Sequence, residues 1–269
     1  KALAERVPKE NRMTKTVWIT GASSGIGKEF ARRYAAMGCR LILTARRADR
    51  LEALALELKQ AHGTQCRILP ADLASKADCD RLCAELAGEN IDIFINNAGF
   101  GVCGSLLETD PAKEEEMVQV NVAAMRRLFQ FALRKMHAQG GGTILNVASS
   151  AGLLPGGPYM AGYYASKAYV VSLTRGAAQE LKEQRSPVYV CALCPGPVNT
   201  EFNDRAGVVF ALKGITPQFC VDEAFHGMLH HKTIIVPSAF MRVCTTAQKL
   251  VPTGLLMPIV ARQQKKKLG

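Results

Sequence analysis

The sequence predicts an α/β protein, a single doubly wound domain on a parallel sheet of about seven strands with helices on both faces. Three observations carry that prediction. Strand and helix patterns alternate along the chain. The strand segments are continuous apolar runs, as expected of strands covered on both faces. A glycine-rich turn, Gly21-Ala-Ser-Ser-Gly25-Ile-Gly27, directly follows the first strand and opens a helix.

Taken in order, residues 16–20 read as the first strand, and the helix after the turn runs to Met37, where Gly38 ends it. Residues 40–44 read as a second strand, 48–60 as an amphipathic helix, 66–69 as a third strand and 76–86 as a helix. A fourth strand over 91–95 ends in Asn96-Asn97-Ala98-Gly99. Pro111 opens a long helix carrying Asn121, its fixed φ suiting a first turn. Residues 143–147 give a fifth strand, 163–183 a helix, 187–193 a sixth strand and 231–236 a seventh.

No composition break or repeat divides residues 13–240, which read as one domain. Residues 1–12 are expected to be a disordered or non-native extension before Met13. Residues 241–269 read as an apolar and basic tail that packs on the same domain or on a partner subunit. Its apolar stretch, 250–260, is too short to span a bilayer and is interrupted by Pro252 and Pro258. Those prolines leave no clean amphipathic period, which favours packing over a membrane surface, although Arg262 and Lys265-Lys266-Lys267 follow.

In 269 residues, 48% hydrophobic and 21% charged, the chain has the composition of a soluble globular protein with a sizeable core. Its net charge of +11 is dispersed, apart from Arg46-Arg47 with Arg50 and the terminal lysines. No aromatic residues interleave with these clusters, which speaks against nucleic acid. Nine cysteines, an odd number scattered through helices and strands, suit reduced thiols and a cytoplasmic location. Cys191 and Cys194 lie three apart in a strand and face opposite sides, so they make a poor chelate. Cys79 with Cys83, and His226 with His230, lack the further ligands of a metal site, so no metal is expected.

The chemistry concentrates at the carboxyl ends of the strands, where an open α/β sheet binds its ligand. Glycines at 21, 25 and 27 let backbone amides approach a phosphate, and the following helix adds a positive field. The second strand ends in Ala45-Arg46-Arg47, with no acid to bind a ribose 2′-hydroxyl. Arginine there accommodates a 2′-phosphate, so NADP(H) is the expected cofactor, with Arg46 the main phosphate contact. Tyr163 and Lys167, at i and i+4, share a helix face. A neighbouring ammonium stabilises phenolate, and such a pair can exchange a proton with a carbonyl or alcohol oxygen. A half-buried tyrosine with a snorkelling lysine presents the same spacing, so the pair alone does not decide. Ser150, at the end of the fifth strand, is placed to hold the same oxygen.

With Thr20-Gly-x-x-x-Gly-x-Gly27, Asn96-Asn-Ala-Gly99, Ser150, Tyr163-x-x-x-Lys167 and Pro195-Gly-Pro-Val-Asn-Thr200 in that order, the chain resembles the short-chain dehydrogenase/reductases, a Rossmann-type family. The resemblance covers about residues 15–236, and the family's spacing, a serine thirteen residues before the tyrosine, selects Ser150 over Ser149. It implies Tyr163 as general acid in reduction and general base in oxidation, with Lys167 lowering its pKa and binding the nicotinamide ribose. It implies that Ser150 orients the substrate oxygen and that the Asn121 backbone holds a water resupplying Lys167. Gly21, Ser23, Ser24, Gly25, Ile26 and Gly27 would cradle the phosphates, with Arg46 and Arg47 at the 2′ position. Asp72 and Leu73 would border the adenine, and Asn97, Ala98 and Gly99 would line the cleft. Pro195, Val198 and Thr200 would meet the nicotinamide end. Family members pair through the helices carrying Asn121 and Tyr163, so a homodimer or homotetramer is expected.

The resemblance implies that residues 201–218 form a lid over the substrate, here with Phe202, Val208, Val209, Phe210 and Leu212. With Phe100, Leu153 and Leu154 they predict an apolar pocket for a hydrophobic ketone or secondary alcohol, such as a hydroxysteroid or bile acid. Leu153 and Phe202 are the substrate contacts expected beside Ser150 and Tyr163. The alternatives are a 3-oxoacyl reductase of fatty-acid synthesis and, in another class, a non-catalytic NADP(H) sensor.

Overall fold

The computed structural model describes residues 14–202 and 214–265. The expectations for residues 1–12 and for Val208, Val209, Phe210 and Leu212 lie outside that set. Its strands are β1 (Thr16–Thr20), β2 (Arg40–Ala45), β3 (Cys66–Pro70), β4 (Ile93–Asn96), β5 (Gly142–Val147), β6 (Val188–Leu193) and β7 (Ile234–Ile235). They form one seven-stranded sheet in the order β3-β2-β1-β4-β5-β6-β7, parallel throughout. The strand order reverses between β1 and β4, which opens a crevice beyond their carboxyl ends.

Alternation along each strand divides the core in two. Val17, Ile19, Leu41, Leu43, Ile95, Leu145 and Leu193 pack beneath α1 (Gly25–Ala36), α2 (Ala48–His62) and α7 (Pro217–Leu229). Trp18, Ile42, Phe94, Ile144, Val190 and Ala192 face α3 (Lys76–Glu85), α5 (Met125–Ala138) and α6 (Ala161–Glu183). Cys191 and Cys194 fall in opposite halves. Trp18 stacks on Phe94 with centroids 4.1 Å apart, and its Nε1 donates to Thr44 Oγ1 at 3.0 Å. The largest core side chain thus leaves no polar atom unpaired.

Three elements differ from expectation. The helix predicted to run on from Pro111 comprises α4 (Pro111–Val118), a π-helical turn over Gln119–Ala124, and then α5. Such a turn is rare and has no residue signature of its own, so the sequence does not announce it. β7 pairs over two residues only, because His231, at φ 49°, and Lys232 are taken up in closing α7, with Lys232 N–H donating to Gly227 O. The tail is helical, in α8 (Ala239–Ala247) and α9 (Thr253–Lys265). Pro258 lies inside α9, where it forgoes one backbone bond without ending the helix. No helix among the described residues is long and apolar enough to cross a membrane.

Candidate active site

The glycine-rich turn is clamped from the end of β4. Asn97 Nδ2 donates to Thr20 O at 2.9 Å and to Gly21 O at 3.3 Å, while Asn97 N–H donates to Thr20 Oγ1 at 3.0 Å. Gly21 sits at φ 65°, and a Cβ there would lie 2.7 Å from Asn97 Nδ2. At Gly27 an added Cβ would lie 2.3 Å from Gly21 O, so that glycine sets how closely α1 meets the turn. Gly21, Ser23, Ser24, Gly25 and Ile26 line the cleft with Asp72, Leu73, Asn97, Ala98, Gly99, Pro195, Val198 and Thr200, while Gly27 lies beneath. Asp72 Oδ1 accepts from Ala74 N–H at 3.1 Å, which holds the Asp72-Leu73 corner.

Arg46 and Arg47 line the same cleft beyond β2. Arg46 pairs with Glu116 at 2.8 Å. Arg47 reaches Glu201 at 3.1 Å and Ser23 Oγ at 3.2 Å, and Arg50 meets Glu201 at 2.7 Å. Hydrogen bonds from Arg50 and then Arg47 hold the Glu201 carboxyl below its ordinary pKa. Arg47 and Arg50 thus converge on Glu201, joined to the turn through Ser23, while Arg46 lines the same cleft paired with Glu116. These positions fit a phosphorylated dinucleotide: amides and a close-packed glycine cradle at one end, fixed cations at the other.

α6 brings Tyr163 and Lys167 into the cleft, both buried. Lys167 Nζ donates to Val147 O at 3.0 Å and lies 5.8 Å from the Tyr163 ring centroid. Burial pushes Lys167 down to about 8 and Tyr163 up to about 12. Burial is the largest cause of both shifts. The phenol is an acid at neutral pH, carrying its proton beside an ammonium.

The hydroxyl that acts on Tyr163 belongs to Ser149, whose hydrogen bond draws the phenol's pKa down against the burial. Spacing selects Ser150, whereas the hydroxyl coupled to the phenol is that of its neighbour, which also donates to Pro195 O at 3.4 Å and accepts from Ala151 N–H at 3.1 Å. Ser149 continues the extended strand (φ −169°, ψ 159°), whereas Ser150 begins a 3₁₀ turn, Ser150–Leu153, with its N–H bonded to Pro195 O at 2.8 Å. Both serines line the cleft. Asn121, in the π turn, accepts from Phe100 N–H at 3.0 Å and donates to Phe100 O at 2.8 Å and Ser166 Oγ at 3.1 Å. Its side chain is thus spent on anchoring the loop after β4.

Of the expected substrate contacts, Phe202 lines the cleft with its ring 5.6 Å from Tyr163. Leu153 does not. Its side chain packs into the core beside α6 and its carbonyl accepts from Gln248 Nε2 at 2.9 Å, so Leu154 takes the cleft position. Met160, Tyr164, Met241, Gln263 and Gln264 also line it, unforeseen from the sequence. Tyr164 was legible as the neighbour of Tyr163; the others arrive through tertiary packing of the loop before α6 and of α8 and α9.

The short chain dehydrogenase family matches residues 15–207. The chain is 28% identical over 221 residues to a 7beta-hydroxysteroid dehydrogenase of Collinsella aerofaciens, spanning 81% of this chain and 84% of that one. It is 28% identical over 254 residues to a very-long-chain 3-oxoacyl-CoA reductase of Anas platyrhynchos, spanning 92% and 79%. Its fold superposes with a TM-score of 0.81, at 33% identity, on a short-chain dehydrogenase from Sphingobium yanoikuyae solved with NADPH, covering 90% of this chain and 95% of that one.

Proposed function

The chain belongs to the short-chain dehydrogenase family, and from that membership we propose that it is an NADP(H)-dependent oxidoreductase interconverting a hydrophobic ketone and its secondary alcohol. One observation carries the reading: a buried, protonated Tyr163, touched by Ser149 and flanked by Lys167, opens on the cleft that also holds the glycine turn and Arg46-Arg47. The bound nicotinamide supplies the hydride in reduction and takes it in oxidation. A carbonyl oxygen held between the Ser149 hydroxyl and the Tyr163 phenol takes the Tyr163 proton as its carbon is reduced. Lys167 then faces the phenolate, a charge pair that exists only after transfer, so its attraction acts on the step itself. We assign to the Asn121 backbone, presented by the π turn, the water through which Lys167 is resupplied with a proton.

Arg46 and Arg47, with no acid at the end of β2, support NADP(H) over NAD(H), and the Sphingobium neighbour bound to NADPH agrees. Leu154, Met160, Phe202 and Met241 support an apolar substrate, and the likeness to a hydroxysteroid dehydrogenase points to a steroid or bile acid. A 3-oxoacyl reductase is the second reading, favoured by the match to the Anas reductase across 92% of this chain.

The test is NADPH oxidation over a ketone panel of free steroids and acyl-linked 3-ketones, with Tyr163→Phe beside the wild type. The variant is expected to bind NADPH normally and turn over nothing. A wild type that binds NADPH tightly but reduces no ketone would make the chain a sensor.

A further inference from the structure

Among the described residues, Gln264 Oε1 is the buried side-chain oxygen with no hydrogen-bond partner. Gln264 comes from α9, one hundred residues along the chain from Tyr164, and is 3% exposed. Its Nε2 donates to the Tyr164 hydroxyl, and both residues line the cleft in which Tyr163 works. A buried polar atom is ordinarily paired, and leaving one bare is costly enough that it marks a ligand or a strained site. The surrounding wall is apolar, with Met160, Leu154 and Phe202. A polar pair kept inside such a wall is spent on orientation, because apolar contact alone holds a ring system in several ways.

Resting on the ketone-reductase reading above, we propose that Gln264 and Tyr164 form a second polar subsite, and that the substrate is a ketone carrying a hydroxyl group apart from the reacting carbonyl. The donor and acceptor count fits a hydroxyl. Tyr164, having accepted from Gln264 Nε2, keeps its own hydroxyl hydrogen to give, and Gln264 Oε1 is left to accept. A substrate hydroxyl takes the first on its oxygen and gives its hydrogen to the second. A methyl ether can do only half of this, and a C–H none of it. Tyr163 and Tyr164 are consecutive on α6 with rings 6.4 Å apart, edge to face, so the reacting carbonyl and the second hydroxyl are read by adjacent phenols on one rigid helix. α9 supplies the acceptor, which gives the tail a direct part in choosing the substrate.

The experiment uses the full chain with NADPH and a ketosteroid series matched except at one position, bearing a hydroxyl, a methoxy or a hydrogen. Turnover is read as NADPH oxidation, and steroid binding to the NADPH complex is read by calorimetry. The wild type is expected to favour the hydroxy ketone over both analogues by about tenfold or more in kcat/KM, since an analogue that buries a bare acceptor is rejected. Gln264→Met is expected to erase that preference while leaving NADPH affinity unchanged, and Gln264→Glu, which retains an acceptor, to preserve it. Equal rates for the three compounds in the wild type would overturn the subsite whether or not the variants fold. So would a hydroxyl preference that survives Gln264→Met. Tight, Gln264-dependent binding of the hydroxy ketone without reduction would leave the subsite standing and overturn the reductase reading instead.

Discussion

Replacing Ser149 and Ser150 one at a time by alanine separates chain spacing from geometry. Counting thirteen residues back from Tyr163 selects Ser150, but it is the Ser149 side chain that hydrogen-bonds the phenol. Losing one hydroxyl aimed at the reacting oxygen costs about 10²–10³-fold in kcat, or roughly 3–4 kcal/mol. That loss is expected for Ser149→Ala. Ser150 is tied into the site chiefly by its backbone N–H to Pro195 O, which alanine keeps, so Ser150→Ala should change kcat by less than about fivefold. Removing Ser149 also removes the bond that lowers the phenol's pKa, so the limb along which alcohol oxidation rises with pH should move to higher pH in Ser149→Ala. The assay is steady-state NADPH consumption on an active ketone, with the reverse reaction followed against pH and NADPH affinity measured in parallel. A large loss in Ser150→Ala beside a near-normal Ser149→Ala would refute the assignment.

Two further perturbations test the ends of the cleft. Arg46→Ala and Arg47→Ala should each weaken NADPH binding by about tenfold to a hundredfold, the range of a charged hydrogen bond, while leaving NADH untouched; equal losses for both cofactors in a titration would remove the 2′-phosphate reading. Burial takes Lys167 from its ordinary 10.5 to about 8, and at roughly 1.4 kcal/mol per tenfold change in proton affinity the fold carries a penalty of about 3 kcal/mol for holding the charge. Because the folded pKa is depressed, that penalty is complete below about pH 8, is relieved as pH rises, and is gone above 10.5. Urea unfolding should therefore show the stability difference between wild type and Lys167→Met moving toward the wild type by about 3 kcal/mol across that window, and a flat difference would mean that Lys167 is not a buried cation.

What the sequence disclosed and what it hid divide along the range of the interactions. β1, the glycine turn and α1 are contiguous, and so are the β2 arginines and the Tyr163–Lys167 helix; each is specified by local spacing, and each stands where spacing places it. The π turn at Asn121 was invisible because a single π turn is rare and carries no residue signature of its own. Ser149 was weighed and passed over because a fixed count assumes a fixed loop. The segment before α6 holds two glycines and two prolines, with Tyr159 at φ 64°, so no regular element fixes its length. Of the two leucines expected in the pocket only Leu154 reaches it, since which of two adjacent leucines faces the cleft depends on the phase of the 3₁₀ turn.

Burial is the largest influence on the electrostatics of the catalytic pair. The i, i+4 spacing places a cation near a phenol, but the sign of the shift depends on how much water the fold excludes, and no local pattern encodes that. Tyr163 held up to about 12 and Lys167 down to about 8 describe a site poised to donate a proton, in which charging either group alone is unfavourable. Transfer of the Tyr163 proton to a substrate oxygen turns a neutral phenol beside a cation into an ion pair in a water-poor cleft. The same burial that penalises the phenolate in the resting protein strengthens its attraction to Lys167 once it forms. Ser149 and the apolar wall therefore work in opposite directions: burial keeps the proton on Tyr163, and the Ser149 hydrogen bond eases its release to a carbonyl oxygen within reach.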